Sequence, residues 1–500
     1  MPEHRRPDGL PLIGLAMIVK NEEERLPVLL DSLGWTAEGA DGQTFLPSDP
    51  SDRKSEGVWR TDAAVDFVVV CDTGSSDDSV RIATERGCRV VEFDWCDDFS
   101  AARQASFDAL PPDVEWTLWA DADDVIENAA ALRPLAARAP QGVAGFICRY
   151  DYAQDPSGNC ICELWRERLV RNGIGAKWKL PIHEVLEVPG QLVHSEEVTW
   201  LHRTEGRERD PERNYKILRA DYERSETPNP RTLAYLGTEA LALGKGEEAQ
   251  GYFREYLDRP DALWDEERCQ VAHKLSIACR LDGDLEGSEQ AARRAIDERP
   301  DWADGYLDMA EIELARGRPE KAMRWLDVID RLDPPRTLLI INPLDYTYQP
   351  ALMRSVALAK LGHGEQALEL TNKVLAQTPF REDLQVQQAQ LIAAVTQDEA
   401  VRAVLGLREV LVRFDENAKA RALMDCVPYI AETSPAIAQA RLDQREMTLH
   451  ATDPEVYGSY YRENPNEAPF ERQNVEIEKA HEVFGRVNFL REGLKEQVAA

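Results

Sequence analysis

Hydrophobic and polar positions divide the chain into two regimes. Up to about residue 206, short apolar runs end in acids or turn residues: Leu12–Val19, Val65–Cys71, Arg89–Phe93 and Trp116–Ala120. Runs of this length, rich in β-branched and aromatic residues, fit strands buried on both faces of a parallel sheet. Between the first two, Leu26, Leu29, Leu30 and Leu33 recur at helical spacing, and Ser79–Arg86 and Ala101–Leu110 predict two more helices. The resulting β-α-β-α-β-α-β order predicts a parallel sheet with right-handed crossovers. Residues 34–64 are rich in Gly, Pro, Ser and Asp with no period, and predict an inserted surface loop. Farther on, Val143–Tyr152 and Cys160–Val170 predict paired strands joined at Pro156–Asn159, followed by Lys177–Val188 and Val198–Arg203.

The second regime is helical and repetitive. Asp210-Pro211 opens a helix over Glu212–Arg224, and Pro228 and Pro230 mark a linker. From Arg231, small residues return at one position (Ala249, Ser288, Ala322), and Leu236-Gly237, Leu275-Ser276 and Met309-Ala310 sit at another. Pro300 and Pro334 close two repeats 34 residues apart, the tetratricopeptide period. Pro335–Pro350 interrupts the period before a fourth repeat with Ala367 and Pro379. The expected organisation is therefore an α/β domain over 1–210, a connecting helix and linker over 211–230, repeats over 231–440, and a tail with a last helix over 441–500.

Charge narrows the partners. With 59 Lys and Arg against 91 Asp and Glu, the net charge is −32, which disfavours nucleic acid and anionic membrane. The opening MPEHRRPDG lacks a hydrophobic signal core, and the longest apolar stretch, Leu10–Val19, is far short of a membrane span. A soluble, cytoplasmic protein is the expectation. The nine cysteines are scattered, and Cys160-x-Cys162 has no second pair at zinc spacing, so they are expected to be reduced.

The candidate chemistry lies at the strand ends. Trp116–Ala120 stops in three carboxylates, Asp121, Asp123 and Asp124. Like charges this close repel, and a divalent cation is the usual remedy, although a solvated turn or a helix cap would also use Asp. In open α/β sheets, ligands bind at such carboxyl ends. The sequence holds no GxGxxG and no GxxxxGK[ST], which argues against dinucleotide and P-loop chemistry.

Four segments in order, AMIVKNEE (Ala16–Glu23), VCDTGSSD (Val70–Asp77), FDWCDDFSAAR (Phe93–Arg103) and LWADADD (Leu118–Asp124), together resemble the family 2 glycosyltransferases of GT-A fold, in the soluble branch with tetratricopeptide repeats. The resemblance covers roughly Leu12–Gly206 and the repeats. It implies an α/β GT-A, Rossmann-like nucleotide-sugar-binding domain followed by an all-α repeat superhelix. It implies that Val19, Lys20, Asn21 and Glu22 hold base and ribose of a UDP-sugar, that Asp72 accepts the imide N–H of uracil, and that Arg103 contacts base or diphosphate. Asp121 with Ala122 would touch the ribose or metal, and Asp123 would bind Mn²⁺ or Mg²⁺. The segment Arg168–Asn172, the pair His183-Glu184 and the later His202 also match, and His202 becomes a third metal ligand beside Asp121 and Asp123. Two departures stand out, Arg103-Gln104 where relatives have Arg-Asn, and Asp124 where they often have Glu.

The expected reaction is inverting transfer from a UDP-sugar to a protein or peptide side chain, most simply Ser/Thr, for example on a bacterial or phage structural protein. Glu184 is the expected general base and His183 the alternative. Most of the chain after Arg231 is expected to stand away from the nucleotide, and the repeats to bind the acceptor on a concave face; their alternative roles are forming a homodimer or bracing the first domain. A glycan or lipid-linked acceptor, and a scaffold with a degenerate transferase domain, are the competing readings.

Overall fold

The computed structural model describes residues 6–36, 57–203 and 210–395. Most of the predicted loop at 34–64, the late repeats beyond 395 and the tail at 441–500 lie outside them. The described chain divides into two compact units. The first comprises residues up to Asp155, Cys160–Gly305 and Asp333–Pro343; the second comprises Pro156–Asn159, Tyr306–Leu332 and the chain from Leu344.

The first unit is built on a mixed eight-stranded sheet. Its strands are β1 (Ile13–Val19), β2 (Phe67–Asp72), β3 (Arg89–Glu92), β4 (Trp116–Trp119), β5 (Asp124–Glu127), β6 (Val143–Gln154), β7 (Cys160–Arg171) and β10 (Gln191–His202), while β8 (Lys177–Lys179) and β9 (Val185–Glu187) form a separate ribbon. The order is β3-β2-β1-β4-β7-β6-β10-β5. The expected parallel arrangement holds over β3-β2-β1-β4, and the sheet then continues through the antiparallel β7. β1 takes the centre of the parallel half because it is apolar on both faces; only Ile18 is more than slightly exposed. Helices Leu26–Ser32 and Phe99–Asp108 cover the sheet, the latter capped by Asp98, whose carboxylate accepts from the Ala101 amide at 3.0 Å. Trp116, Leu118, Phe146 and Trp200 fill the core beneath β1. This is the Rossmann-like α/β architecture expected from the strand pattern.

Helices follow from Arg213. Within the first unit, Arg213–Arg224 precedes the pairs Pro230–Ala242 with Gly246–Asp258 and Asp265–Leu281 with Leu285–Glu298. The small positions of the repeat pattern are where helices meet. Ala249 and Ser288 are fully buried, and Ser276 and Ser288 share a hydrogen bond of 2.9 Å. The second unit holds most of Asp304–Ala315, then Pro319–Ile329, Tyr348–Lys360, Gly364–Leu375 and Glu382–Val395, with Ala322 and Ala367 fully buried.

The interruption at Pro335–Pro350 has its own structure. Its first part returns to the sheet of the first unit, where Trp165 N donates to Thr337 O at 2.7 Å and Glu163 and Ile341 exchange backbone bonds of 2.8 Å. β4 reaches only Leu169–Arg171 of β7, so the earlier part of β7 is left to this segment.

Candidate active site

The chain turn after β4 brings three acids and a histidine together. Asp124 N donates to Asp121 O at 3.0 Å, and Asp121 N donates to an Asp124 carboxylate oxygen at 2.9 Å, so the turn is closed at both ends. Asp124 then starts β5, and the antiparallel register places it opposite His202 of β10. His202 Nδ1 lies 3.2 Å from Asp124 and 3.5 Å from Asp123. Asp123, Asp124 and His202 each offer a ligand atom within a 4.8 Å cluster. Carboxylates with an imidazole suit a divalent cation. His202 Nε2 is buried and finds no hydrogen-bond partner among the described residues, a second sign that the ring is set for something beyond them.

The acids are not equivalent. Asp124 is buried, accepts from Tyr150 Oη at 2.7 Å and faces the Arg168 guanidinium at 3.7 Å. Arg168 is itself fully buried, over the rings of Trp119 (3.7 Å) and Tyr150 (4.2 Å). Asp121 meets Arg103 at 2.6 Å; burial works to raise its carboxyl, but Arg103 and then Arg168 hold it well below the usual range. Asp123 goes the other way. Burial pushes its carboxyl up to about 6, His202 works against this, and Asp121, Asp124 and Glu22 add to it. A carboxylate kept among like charges is where a divalent cation gains most.

Arg103 links this cluster to the loop between β8 and β9. Its Nε donates to Glu184 at 2.5 Å while its other arm holds Asp121. Trp119 and Trp178 flank the guanidinium at 4.9 and 5.2 Å. Burial opposes ionisation of Glu184, yet Arg103 and then Arg166 keep its carboxyl below the usual range. Next to it, His183 has a left-handed backbone (φ 52°), stacks on Tyr235 at 3.9 Å and places Nε2 3.2 Å from Glu239.

Residues 61–179 match the family model described as Glycosyl transferase family 2. A family 2 glycosyltransferase domain is thus matched at residues 61–179, and the helix pairs that follow keep the small-residue pattern of tetratricopeptide repeats. A TPR repeat-containing protein of Synechococcus elongatus is 27% identical over 308 residues, spanning 58% of this chain and 67% of that one. Among solved structures, MamA protein (18% identity, 33% of this chain and 80% of that one, TM-score 0.25) and a thermophilic TPR protein of Thermus thermophilus (18%, 36% and 90%, TM-score 0.29) are similar to it. At such scores neither likeness bears on the site.

A cavity of about 840 Å³ opens at the strand ends. Of the residues singled out in the sequence, Val19, Lys20, Glu22, Arg103, Asp121, Ala122, Asp123, His183, Glu184 and His202 line it. Asn21 and Asp72 face the neighbouring loop instead. Asn21 Oδ1 accepts from Ser76 N at 2.7 Å, and the Asp72 carboxylate accepts from the amides of Gly74 and Ser75 at 3.1–3.2 Å. Sequence reasoning missed Asp124 as a member of the Asp-His cluster, and Tyr150 and Arg168 as its supports. It also missed the helical wall: Tyr235, Thr238, Glu239, Gln270 and Lys274, with Leu338–Ile340 of the returning segment, line the same cavity. The first two helix pairs thus reach the cavity at the strand ends. Nothing in the repeat pattern signals it, because the pattern marks only the small residues where two helices meet.

Proposed function

We propose that the protein is an inverting, metal-dependent glycosyltransferase that moves a sugar from a UDP-sugar to a protein or peptide side chain. The observation that supports this most is the placement of Asp123 and His202 in the same cavity as Lys20 and Arg103. Cations and a metal-ligand set within one cavity suit a diphosphate. A divalent cation held by Asp123 and His202 would neutralise charge on the departing UDP. Arg103, braced by two carboxylates and two indoles, keeps Asp121 ionised and fixes the floor between donor and acceptor sides.

Inverting transfer needs a base on the acceptor side. Both expected candidates line the cavity. Glu184 is committed to Arg103, an interaction that weakens it as a base, whereas His183 carries no such ion pair with an arginine. We assign the base to His183 on this ground. The test is release of UDP from a panel of UDP-sugars with and without Mn²⁺, followed by intact-mass spectrometry of candidate acceptor proteins co-expressed with the enzyme. Metal-dependent UDP release and an acceptor heavier by one sugar are expected. Release that is unaffected by EDTA overturns the metal assignment.

A further inference from the structure

The first repeat helix reaches into the cavity beside the reacting groups. Helix Pro230–Ala242 presents Tyr235 and Glu239 one turn apart on one face. The His183 ring lies on Tyr235, nearly coplanar at 7°, with centroids 3.9 Å apart. Glu239 Oε1 takes the edge of the same ring at Nε2, 3.2 Å away, and also accepts from Asn214 Nδ2 at 3.2 Å. Burial works to raise the Glu239 carboxyl, but the bonds from His183 and Asn214 keep it below the usual range. One residue earlier in the loop, Ile182 is buried in the helical core with Tyr215, Leu218 and Leu233. Pro181 O accepts from Phe99 N at 2.8 Å. The loop thus holds two left-handed non-glycine residues, Leu180 (φ 72°) and His183, each of which costs about 1–2 kcal/mol and persists only under such restraint.

Resting on the transferase reading above, we propose that Glu239 and Tyr235 of the first repeat helix are positioning residues for His183, so that the repeats complete the catalytic machinery. With Nε2–H donated to Glu239, the ring lone pair is on Nδ1. In the transfer step the acceptor O–H bond breaks and its proton goes to Nδ1. The acceptor oxygen bonds to the anomeric carbon, and the bond from that carbon to the phosphate oxygen breaks with its electron pair leaving on UDP. The imidazolium formed is stabilised by the Glu239 carboxylate and returns its proton to water after release. Tyr235 fixes the ring plane. A triad-like division of labour follows, base on the loop and orienting carboxylate on the repeat.

The test uses the full chain with Mn²⁺, the probes UDP-glucose, UDP-galactose and UDP-N-acetylglucosamine, and water as acceptor, following UDP release alongside UDP affinity. His183→Ala is expected to lower kcat about 100-fold, with UDP affinity unchanged and activity restored by added imidazole. Glu239→Gln, which keeps the shape and a hydrogen-bond acceptor, is expected to lower kcat about 10-fold with KM for the donor unchanged. Tyr235→Leu, which removes the ring on which His183 stacks, is expected to lower kcat about 10-fold with KM for the donor unchanged, and wild-type kcat in this variant overturns the role given to Tyr235. Wild-type kcat in Glu239→Gln overturns the proposal, as does a loss in His183→Ala that imidazole does not restore, which makes the ring a structural brace. A wild type that neither binds UDP nor releases it from any of the three donors overturns the transferase reading itself, and the positioning role with it.

Discussion

Arg168 offers the sharpest test of how the acidic turn is held. Its side chain is fully buried, its guanidinium lies 3.7 Å from the Asp124 carboxylate, and the rings of Trp119, Tyr150 and Trp200 surround it. At that separation and an effective dielectric of about 20, the attraction is about 4.5 kcal/mol. Part of this offsets the cost of burying both ions, so the net value of the pair is much smaller. Breaking it is different, because the remaining ion stays buried. Arg168→Met, which keeps most of the volume, is expected to destabilise the fold by about 3–5 kcal/mol. Asp124→Asn leaves the guanidinium among rings that still attract it and keeps an acceptor for Tyr150, so about 1–3 kcal/mol is expected. In the double variant the second change removes an already orphaned ion, and a coupling of about 2–3 kcal/mol should appear. Urea unfolding followed by tryptophan fluorescence is the assay, since Trp119 and Trp200 flank the charge. Additivity within about 0.5 kcal/mol would refute the view that Arg168 exists to neutralise Asp124.

Three further outcomes are expected. Arg103→Lys can satisfy Asp121 or Glu184 but not both with a planar fork, so UDP release should fall about 10-fold or more while the melting temperature moves little; full activity would mean the fork is unnecessary. A Cβ on Gly237 would meet the Phe253 ring at 2.4–2.5 Å, so Gly237→Ala should cost about 1–3 kcal/mol by thermal unfolding, against the gain that the same change gives an exposed helix. EDTA should abolish UDP release, and Mn²⁺ should restore it, as read by the same coupled assay.

The strand ends were legible because a strand buried on both faces must be apolar along its length, and Leu12–Val19 and Trp116–Ala120 are. The repeats were legible because small residues recur wherever two helices touch; Ala249, Ser288, Ala322 and Ala367 are all fully buried. Position across the sheet was less legible. Asp124 reads as the third acid of a turn, and only its pairing with β10, 78 residues on, makes it a neighbour of His202. Arg168 reads as a polar residue in an alternating strand, and its aromatic cage comes from β4, β6 and β10. The interruption Pro335–Pro350 reads as a break in the period because its partners, Glu163 and Trp165, lie some 170 residues earlier. Such contacts leave no periodic mark, since each involves one or two residues of an element whose pattern is set by its other neighbours.

The three acids that look alike in the sequence have separate tasks in the fold, and the arginines decide which. Arg103 stands against Asp121 and Arg168 against Asp124, so each of these carboxylates faces a permanently charged group of the protein. At Asp123, instead, burial pushes the carboxyl up to about 6 against the pull of His202, and Asp121, Asp124 and Glu22 add to the rise. A cation entering the cavity would therefore find its strongest unmet demand at Asp123, which supports the proposal of a metal ligand at the second acid of Asp-Ala-Asp. The same reasoning sets opposite signs for two substitutions that a sequence would treat as equal. In metal-free protein, Asp123→Asn relieves like-charge repulsion and should raise stability by about 1 kcal/mol while abolishing metal-dependent UDP release. Asp124→Asn should lower stability. Denaturant midpoints measured in EDTA decide between these signs: an Asp123→Asn variant that is less stable than wild type without metal would mean that Asp123 is held by the protein as its neighbours are, and that the cation demand lies elsewhere.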